Sequence, residues 1–307
     1  MDTAYDVIII GGGPAGLTAG IYTCRANLHT LLIEKGGFGG EIANAELVEN
    51  YPGFSDGISG AELGAIMATQ AMNYGIAIRL AEVHGIKIKG EQKIVATSDG
   101  DFSAKSLIIA GGAEPLKLDV PGEDRFAGSD VSYCAMCDAP RFKDRLVAVA
   151  GGGDAGITDA LHLAKFASKV TVIEIIPRLT ATKVLQDKAT AEPKIDFLCG
   201  TKIEAIEGEE RLSAIKIKNV NSNQTSVLEI SGILIRIGVR PNTEYLKGIV
   251  PLDELGQVIV NDLMETKVPS IFAAGDIRRN SARQVITAAG DGAMAAISAE
   301  KFFRGQE

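Results

Sequence analysis

One short pattern occurs twice in this 307-residue chain, and it limits the fold more than any other feature. Val7-Ile8-Ile9-Ile10 is a β-branched apolar run, read as a strand buried on both faces. Gly11-Gly12-Gly13-Pro14-Ala15-Gly16 follows, then a helical stretch from Leu17 to about Ala26. A second strand, Thr30-Leu31-Leu32-Ile33, ends in Glu34. The pattern returns as Leu146-Val147-Ala148-Val149-Ala150 and Gly151-Gly152-Gly153-Asp154-Ala155-Gly156. A helix to about Phe166 then leads to Val170-Thr171-Val172-Ile173 and Glu174. Gly11 and Glu34 are 23 residues apart, as are Gly151 and Glu174. A lone Gly-x-Gly-x-x-Gly is weak evidence. Two copies in strand–turn–helix–strand context, each with an acid at the same spacing, point to two dinucleotide-binding units.

Each glycine has a physical task in such a unit. Gly11 and Gly151 make the tight turn, Gly13 and Gly153 let the backbone approach a pyrophosphate, and Gly16 and Gly156 let helix and strand pack closely. The helix N-terminus then offers free N–H groups and its dipole to the phosphates. The expected fold is α/β, with two Rossmann-like three-layer domains, the second inserted into the first. The first would take residues 1–113 and 244–307, the second residues 114–243. Leu107 to Gly112 and Gly232 to Gly238 read as strands closing the two units, and Gly85–Lys89 with Lys93–Thr97 as a hairpin. A helix is expected from about Asp291 to Phe303.

Composition removes several function classes. The net charge of −8, with no run of like charges, disfavours nucleic acid and polybasic membrane contact. The acidic N-terminus runs straight into a strand, unlike a signal peptide, and no apolar stretch approaches the roughly 18 residues of a transmembrane helix. The expectation is a soluble cytoplasmic protein. The four cysteines are Cys24, Cys134, Cys137 and Cys199. In a reducing compartment a close pair is metal-binding or redox-active. Zinc would call for a second Cys pair or histidines at ligand spacing, and His29, His84 and His162 are scattered, so redox chemistry is favoured and no metal is expected. Two intervening residues let Cys134 and Cys137 close a small reducible ring. Cys24 and Cys199 read as small core residues. Asp138, directly after the pair, is a candidate general acid–base, with a helix or turn cap as the alternative.

Several segments together resemble the low-molecular-weight thioredoxin reductases: the Gly11 fingerprint, Glu49-Asn50-Tyr51-Pro52-Gly53-Phe54, and Tyr133-Cys134-Ala135-Met136-Cys137-Asp138. Gly275-Asp276, Arg283-Gln284-Val285 and Ala289-Gly290-Asp291-Gly292 complete the likeness. The resemblance covers nearly the whole chain in the right order. It implies FAD in the first unit, with Gly11, Gly13, Pro14, Ala15 and Gly16 at its pyrophosphate and Glu34 near the adenosine ribose. Lys35, Val83, Gly111 and Gly112 would complete the cradle. Gly40-Glu41-Ile42 and Asn50 would lie along the flavin, Gly275 and Asp276 at the ribitol or phosphate, and Arg283-Gln284-Val285 at the isoalloxazine edge. Cys137 would receive electrons from the flavin, and Cys134 would attack the disulfide of thioredoxin or a glutaredoxin-like protein. The resemblance also implies a homodimer and two domains that rotate about hinges near Glu114-Pro115 and Asn242-Thr243.

The second unit departs from the pattern. Members of the family that use NADPH carry His-Arg-Arg after the second strand and another Arg a turn later. Here those positions read Glu174-Ile175-Ile176 and Thr180, and Arg178 is the nearby cation. A carboxylate at Glu174 repels a 2′-phosphate and suits a free ribose hydroxyl. NADPH is therefore disfavoured. NADH is admitted by Glu174 with the intact Gly151, Gly153, Asp154, Ala155 and Gly156 turn. Reduced ferredoxin or a deazaflavin, used by relatives with degenerate second units, stand beside it as donors. The alternatives are an FAD-binding redox sensor, whose dithiol would not turn over, and another protein-disulfide reductase without efficient pyridine nucleotide use.

Overall fold

The computed structural model describes residues 4–45 and 47–305. The chain divides into two compact units, Met1–Glu114 with Arg240–Glu307, and Pro115–Val239. The crossings run through the short strands Ala113–Pro115 and Val239–Pro241, which pair with each other. Asn242 lies beyond the return crossing. Its backbone N–H and its Nδ2 donate to the carbonyls of Gly112 and Gly111 at 3.1 and 2.9 Å, which ties it into the first unit.

In the first unit five parallel strands lie in the order Ala77–Leu80, Thr30–Glu34, Ala4–Ile10, Gly100–Ile109 and Ile271–Ala273. Val7 to Ile9 and Leu107 to Ile109 are wholly buried, as both-face coverage of a parallel sheet requires. Each such isoleucine contributes about 2 kcal/mol through the apolar surface it removes from water. The hairpin Val83–Lys89 and Gln92–Thr97 extends the sheet antiparallel from the N-terminal half of Gly100–Ile109. Helix Gly60–Asn73 starts at Ser59, whose hydroxyl accepts the Glu62 N–H. The last helix runs Val285–Arg304 and so begins six residues before the expected Asp291. Gly292 marks a close approach, since a Cβ there would fall 2.0 Å from the Ala15 carbonyl of helix Pro14–Arg25.

The second unit repeats the plan. Its parallel strands run Ile195–Cys199, Lys169–Glu174, Leu146–Ala150, Gly232–Ile235 and Val131–Ser132. A three-stranded antiparallel sheet, Thr201–Gly208, Leu212–Asn219 and Thr225–Glu229, stands where the first unit has its hairpin. One difference matters for the site. The fifth strand of the first unit comes late in the chain and leads into Gly275-Asp276. That of the second unit comes before its glycine turn and leads into Cys134. Each is the carboxyl end of a parallel strand, the side on which open α/β sheets bind ligands. Among the described residues no helix is long and apolar enough to cross a membrane.

The strand before Cys134 is anchored by a buried charge. Asp130 is completely shielded, and its carboxylate accepts Arg145 Nη2 at 2.7 Å, Arg211 Nε and Nη2 at 2.8 and 2.6 Å, and the Leu212 N–H at 3.0 Å. Burial alone would raise its proton affinity. The Arg211 and Leu212 hydrogen bonds and the charges of Arg145 and Arg211 outweigh burial and hold the carboxyl below its ordinary value. A depressed folded value means that the stabilisation is present above the unfolded value of 3.8 and is lost as pH falls through the folded one. Asp130→Ala leaves two guanidiniums without their anion and is expected to cost about 3 kcal/mol. Urea unfolding monitored on the second unit checks this, and the deficit should shrink as the wild type is acidified below the carboxylate range.

Candidate functional site

In the first unit the turn after strand Ala4–Ile10 needs Gly11 at φ +111°, a conformation that residues with a Cβ rarely adopt. A Cβ on Gly16 would sit 1.8 Å from the Gly11 carbonyl, so this glycine lets the helix start directly against the turn. Glu34 explains the spacing seen in the sequence. Its Oε2 accepts the Gly12 N–H at 2.6 Å and its Oε1 accepts the Gly36 N–H at 2.7 Å. Around this turn lie Gly13, with Gly40 as its nearest neighbour, and the start of helix Pro14–Arg25 at Pro14 and Ala15. Gly40, Glu41 and Ile42 open a short 3₁₀ turn, Gly40–Asn44. Exposed Lys35 reaches Glu114 at 3.5 Å. Val83 stands half-buried at a bulge of the hairpin, and Gly111 and Gly112 are fixed through Asn242.

Gly275 and Asp276 follow strand Ile271–Ala273. Asp291 holds this turn, accepting Arg278 Nε and Nη2 at 2.6 and 2.9 Å and the Gly275 N–H at 3.1 Å. Asp276 accepts the Ser281 hydroxyl at 2.8 Å, and burial raises its proton affinity against the pull of Ser281 and Arg283. Ser281 also accepts the Arg283 N–H. Asn50 Nδ2 donates to Gln284 Oε1 at 3.1 Å, which brings the Glu49–Phe54 segment to the start of the helix at Val285.

The second unit reproduces the acid–glycine bond. Gly151 takes φ +121°, Glu174 Oε2 accepts the Gly152 N–H at 2.6 Å, and Oε1 accepts the Ile176 N–H at 3.2 Å. A Cβ on Gly156 would meet the Gly151 carbonyl at 2.0 Å. Two features differ from the first unit. Ile175 and Ile176 are 53% and 38% exposed, although both are apolar. Asp154, where the first unit has Pro14, puts a carboxylate in the first turn of helix Asp154–Leu163, and its Oδ1 accepts the Thr182 N–H at 2.5 Å. Thr180 lies over Gly153, Ala155 follows exposed at the helix start, and Arg178 is exposed.

Cys134 and Cys137 are joined as a disulfide, with their Cα atoms 5.3 Å apart across the single helical turn Ala135–Asp138. Met136 between them is 60% exposed. Asp138 stands at the N-cap of the following 3₁₀ turn, Ala139–Phe142, but its side chain makes no capping hydrogen bond there. Its Oδ2 accepts the Ser132 hydroxyl at 2.6 Å and its Oδ1 lies 3.3 Å from Arg141 Nη1. Sequence reasoning missed both partners. The Asp138–Arg141 spacing of one helical turn was the signal that could have found one of them. Cys24 and Cys199 are free and half-buried rather than part of the core, and burial raises both thiols. Among the described residues no group of three or more His, Cys, Asp and Glu side chains is placed to hold a metal ion.

Comparison with known proteins agrees with this geometry. Residues 5–292 match the family model described as pyridine nucleotide-disulphide oxidoreductase. The chain is 42% identical over 299 residues to the thioredoxin reductase of Bacillus subtilis, covering 97% of this chain and 94% of that one. It is 40% identical over 308 residues to that of Peptoclostridium acidaminophilum, covering 98% of each. The crystal structure of thioredoxin reductase from Streptococcus pyogenes superposes with a TM-score of 0.95 at 39% identity, covering 99% of this chain and all of that one. Two glycine turns, each tied to its acid, and a dithiol at the end of a parallel strand are thus found in a chain that belongs to the pyridine nucleotide-disulphide oxidoreductases, as an enzyme of the low-molecular-weight thioredoxin reductase type.

Proposed function

We propose that the chain takes electrons from a donor other than NADPH, carries them through FAD to the Cys134–Cys137 disulfide, and delivers them to the disulfide of thioredoxin or a glutaredoxin-like protein. The observation that carries this reading is the Cys134–Cys137 disulfide at the carboxyl end of a parallel strand. Names of the relatives support thioredoxin as the substrate.

The first unit fits FAD. Beside Gly13 the nearest atom to a notional Cβ is 3.9 Å away, leaving the open backbone approach that a pyrophosphate needs. Gly11, Gly13, Pro14, Ala15 and Gly16 would hold the phosphates at the helix N-terminus. Each oxygen of Glu34 has a lone pair beyond its backbone bond, suited to ribose hydroxyls. Lys35, Gly40, Glu41, Ile42, Asn50, Val83, Gly111, Gly112, Gly275, Asp276, Arg283, Gln284 and Val285 would line the rest. Bound FAD would supply two-electron chemistry that a protein side chain lacks.

The residues of the second unit do the rest. Two electrons and two protons open the Cys134–Cys137 bond to a dithiol. Cys134, as thiolate, attacks a sulfur of the substrate disulfide, and the sulfur that leaves takes up a proton. Cys137 then attacks the mixed disulfide, which re-forms the Cys134–Cys137 bond and releases the substrate as a dithiol. Asp138, within a turn of both sulfurs, accepts and returns the protons.

The donor follows from charge. Glu174 stands where a 2′-phosphate would need a cation, and Asp154 adds a second carboxylate at the phosphate end. Two like charges penalise NADPH most, NADH less, and ferredoxin or a deazaflavin not at this site. Stopped-flow bleaching of the flavin with NADH, NADPH and reduced ferredoxin side by side checks the order, with NADPH expected slowest; fastest bleaching by NADPH would contradict this reading of Glu174. Cys134→Ser and Cys137→Ser should each keep the yellow flavin and lose thioredoxin reduction by at least about 10³-fold. Retained turnover in either variant would remove the dithiol from the route.

A further inference from the structure

The dithiol loop contains a charged clamp that the steps above leave unused. Arg141 Nη1 lies 3.3 Å from Asp138 Oδ1, and the two side chains are only 20% and 13% exposed. The same guanidinium donates to the carbonyls of Gly128 and Ser129, each at 3.0 Å. A planar fork held by two backbone oxygens has little freedom to swing away from the carboxylate. The other oxygen of Asp138 is held from the opposite side. Ser132 Oγ is 2.6 Å from Asp138 Oδ2, and it also accepts the Cys134 N–H at 3.1 Å. The hydroxyl has one proton. The short bond to a carboxylate outcompetes the 3.3 Å approach to the Cys134 carbonyl, so Ser132 donates to Asp138. Asp138 is thus gripped on both oxygens, and one grip is bonded directly to the backbone of the attacking cysteine.

A plain structural role would be a surface pair stapling the turn Ala139–Phe142. Exposed pairs of this spacing contribute little. This one is largely shielded, and the two carbonyl bonds of Arg141 staple that turn without any need of Asp138. Proton transfer, by contrast, depends steeply on how the carboxylate is presented to the sulfur. An aspartate with two free side-chain torsions on a one-turn helix would otherwise sample several rotamers.

We propose that Arg141 is a positioning residue for disulfide exchange: with Ser132 it fixes the Asp138 carboxylate in the orientation from which protons pass to and from Cys134. Asp138 first takes the proton of the Cys134 thiol, and the thiolate so formed bonds to the substrate sulfur. The substrate S–S bond breaks, the departing sulfur takes the electron pair, and the proton returns to it from Asp138. The inference rests on the acid–base reading of Asp138 given above.

The test uses flavin-loaded enzyme, pre-reduced by dithionite and mixed with oxidised thioredoxin, with steady-state kcat and KM measured alongside. Asp138→Asn should slow dithiol transfer by about 10²-fold. Arg141→Gln should lower kcat about tenfold with KM for thioredoxin unchanged, and Arg141→Lys should recover part of the loss. In the Asp138→Asn background, Arg141→Gln should cost nothing further. Ser132→Ala should behave in the same way, and it gives an answer even if Arg141→Gln fails to fold. Equal losses from Arg141→Gln and Ser132→Ala in both backgrounds, or a change confined to KM, would overturn the clamp while leaving Asp138 as the acid–base. Full activity in Asp138→Asn would overturn the acid–base reading and the clamp with it.

Discussion

A backbone amide at a glycine turn and a carboxylate 22 residues later are held 2.6 Å apart in each of the two units. This bond joins the first strand's turn to the end of the second strand, and each sheet is built outward from that join. The amide would otherwise be buried without a partner, at a cost of about 1–3 kcal/mol. The second residue of the turn must therefore reach an acid, the acid must end a strand buried on both faces, and the helix between them must start at once. Gly16 and Gly156 meet the last requirement, because any side chain there would collide with the carbonyl of the turn. The repeated interval between glycine and acid in the sequence is the trace of this geometry.

Given two such units, chemistry is placed by the fifth strand of each sheet. In one, Ile271–Ala273 delivers Gly275 and Asp276; in the other, Val131–Ser132 delivers Cys134. The order of these segments along the chain differs while their place in the sheet does not. Asp130 secures the second arrangement with a buried anion shared by two arginines, which fixes the strand from which the dithiol loop emerges. Glu174 is committed to its turn as Glu34 is, so the second unit keeps the same join with a carboxylate at the end of its second strand.

Much of this was legible from residue types alone. Val7–Ile10 and Val147–Ala150 declare themselves as buried strands because short apolar runs ending in a glycine turn have few other uses, and Cys134 with Cys137 stands out by spacing. The start of the last helix was not legible. The expected start near Asp291 falls six residues late, because the helix is continuous from Val285 and uses Gly292 for close approach to Ala15. Ser132, Arg141 and Asp130 were missed for a common reason. A serine in a strand and charges in a loop carry no periodic signal, and their partners are set by tertiary placement rather than by spacing. Arg141 comes nearest to an exception, one helical turn after Asp138.

The central claim is that electrons leave the flavin through the Cys134–Cys137 pair and reach a thioredoxin disulfide. Anaerobic photoreduction of the flavin-loaded protein, followed by oxidised thioredoxin, tests it without reference to any natural donor. The expected result is reoxidised flavin and a new dithiol on thioredoxin for every electron pair, with Cys134 and Cys137 returned to the disulfide. A flavin that stays reduced beside thioredoxin that stays oxidised would contradict the account.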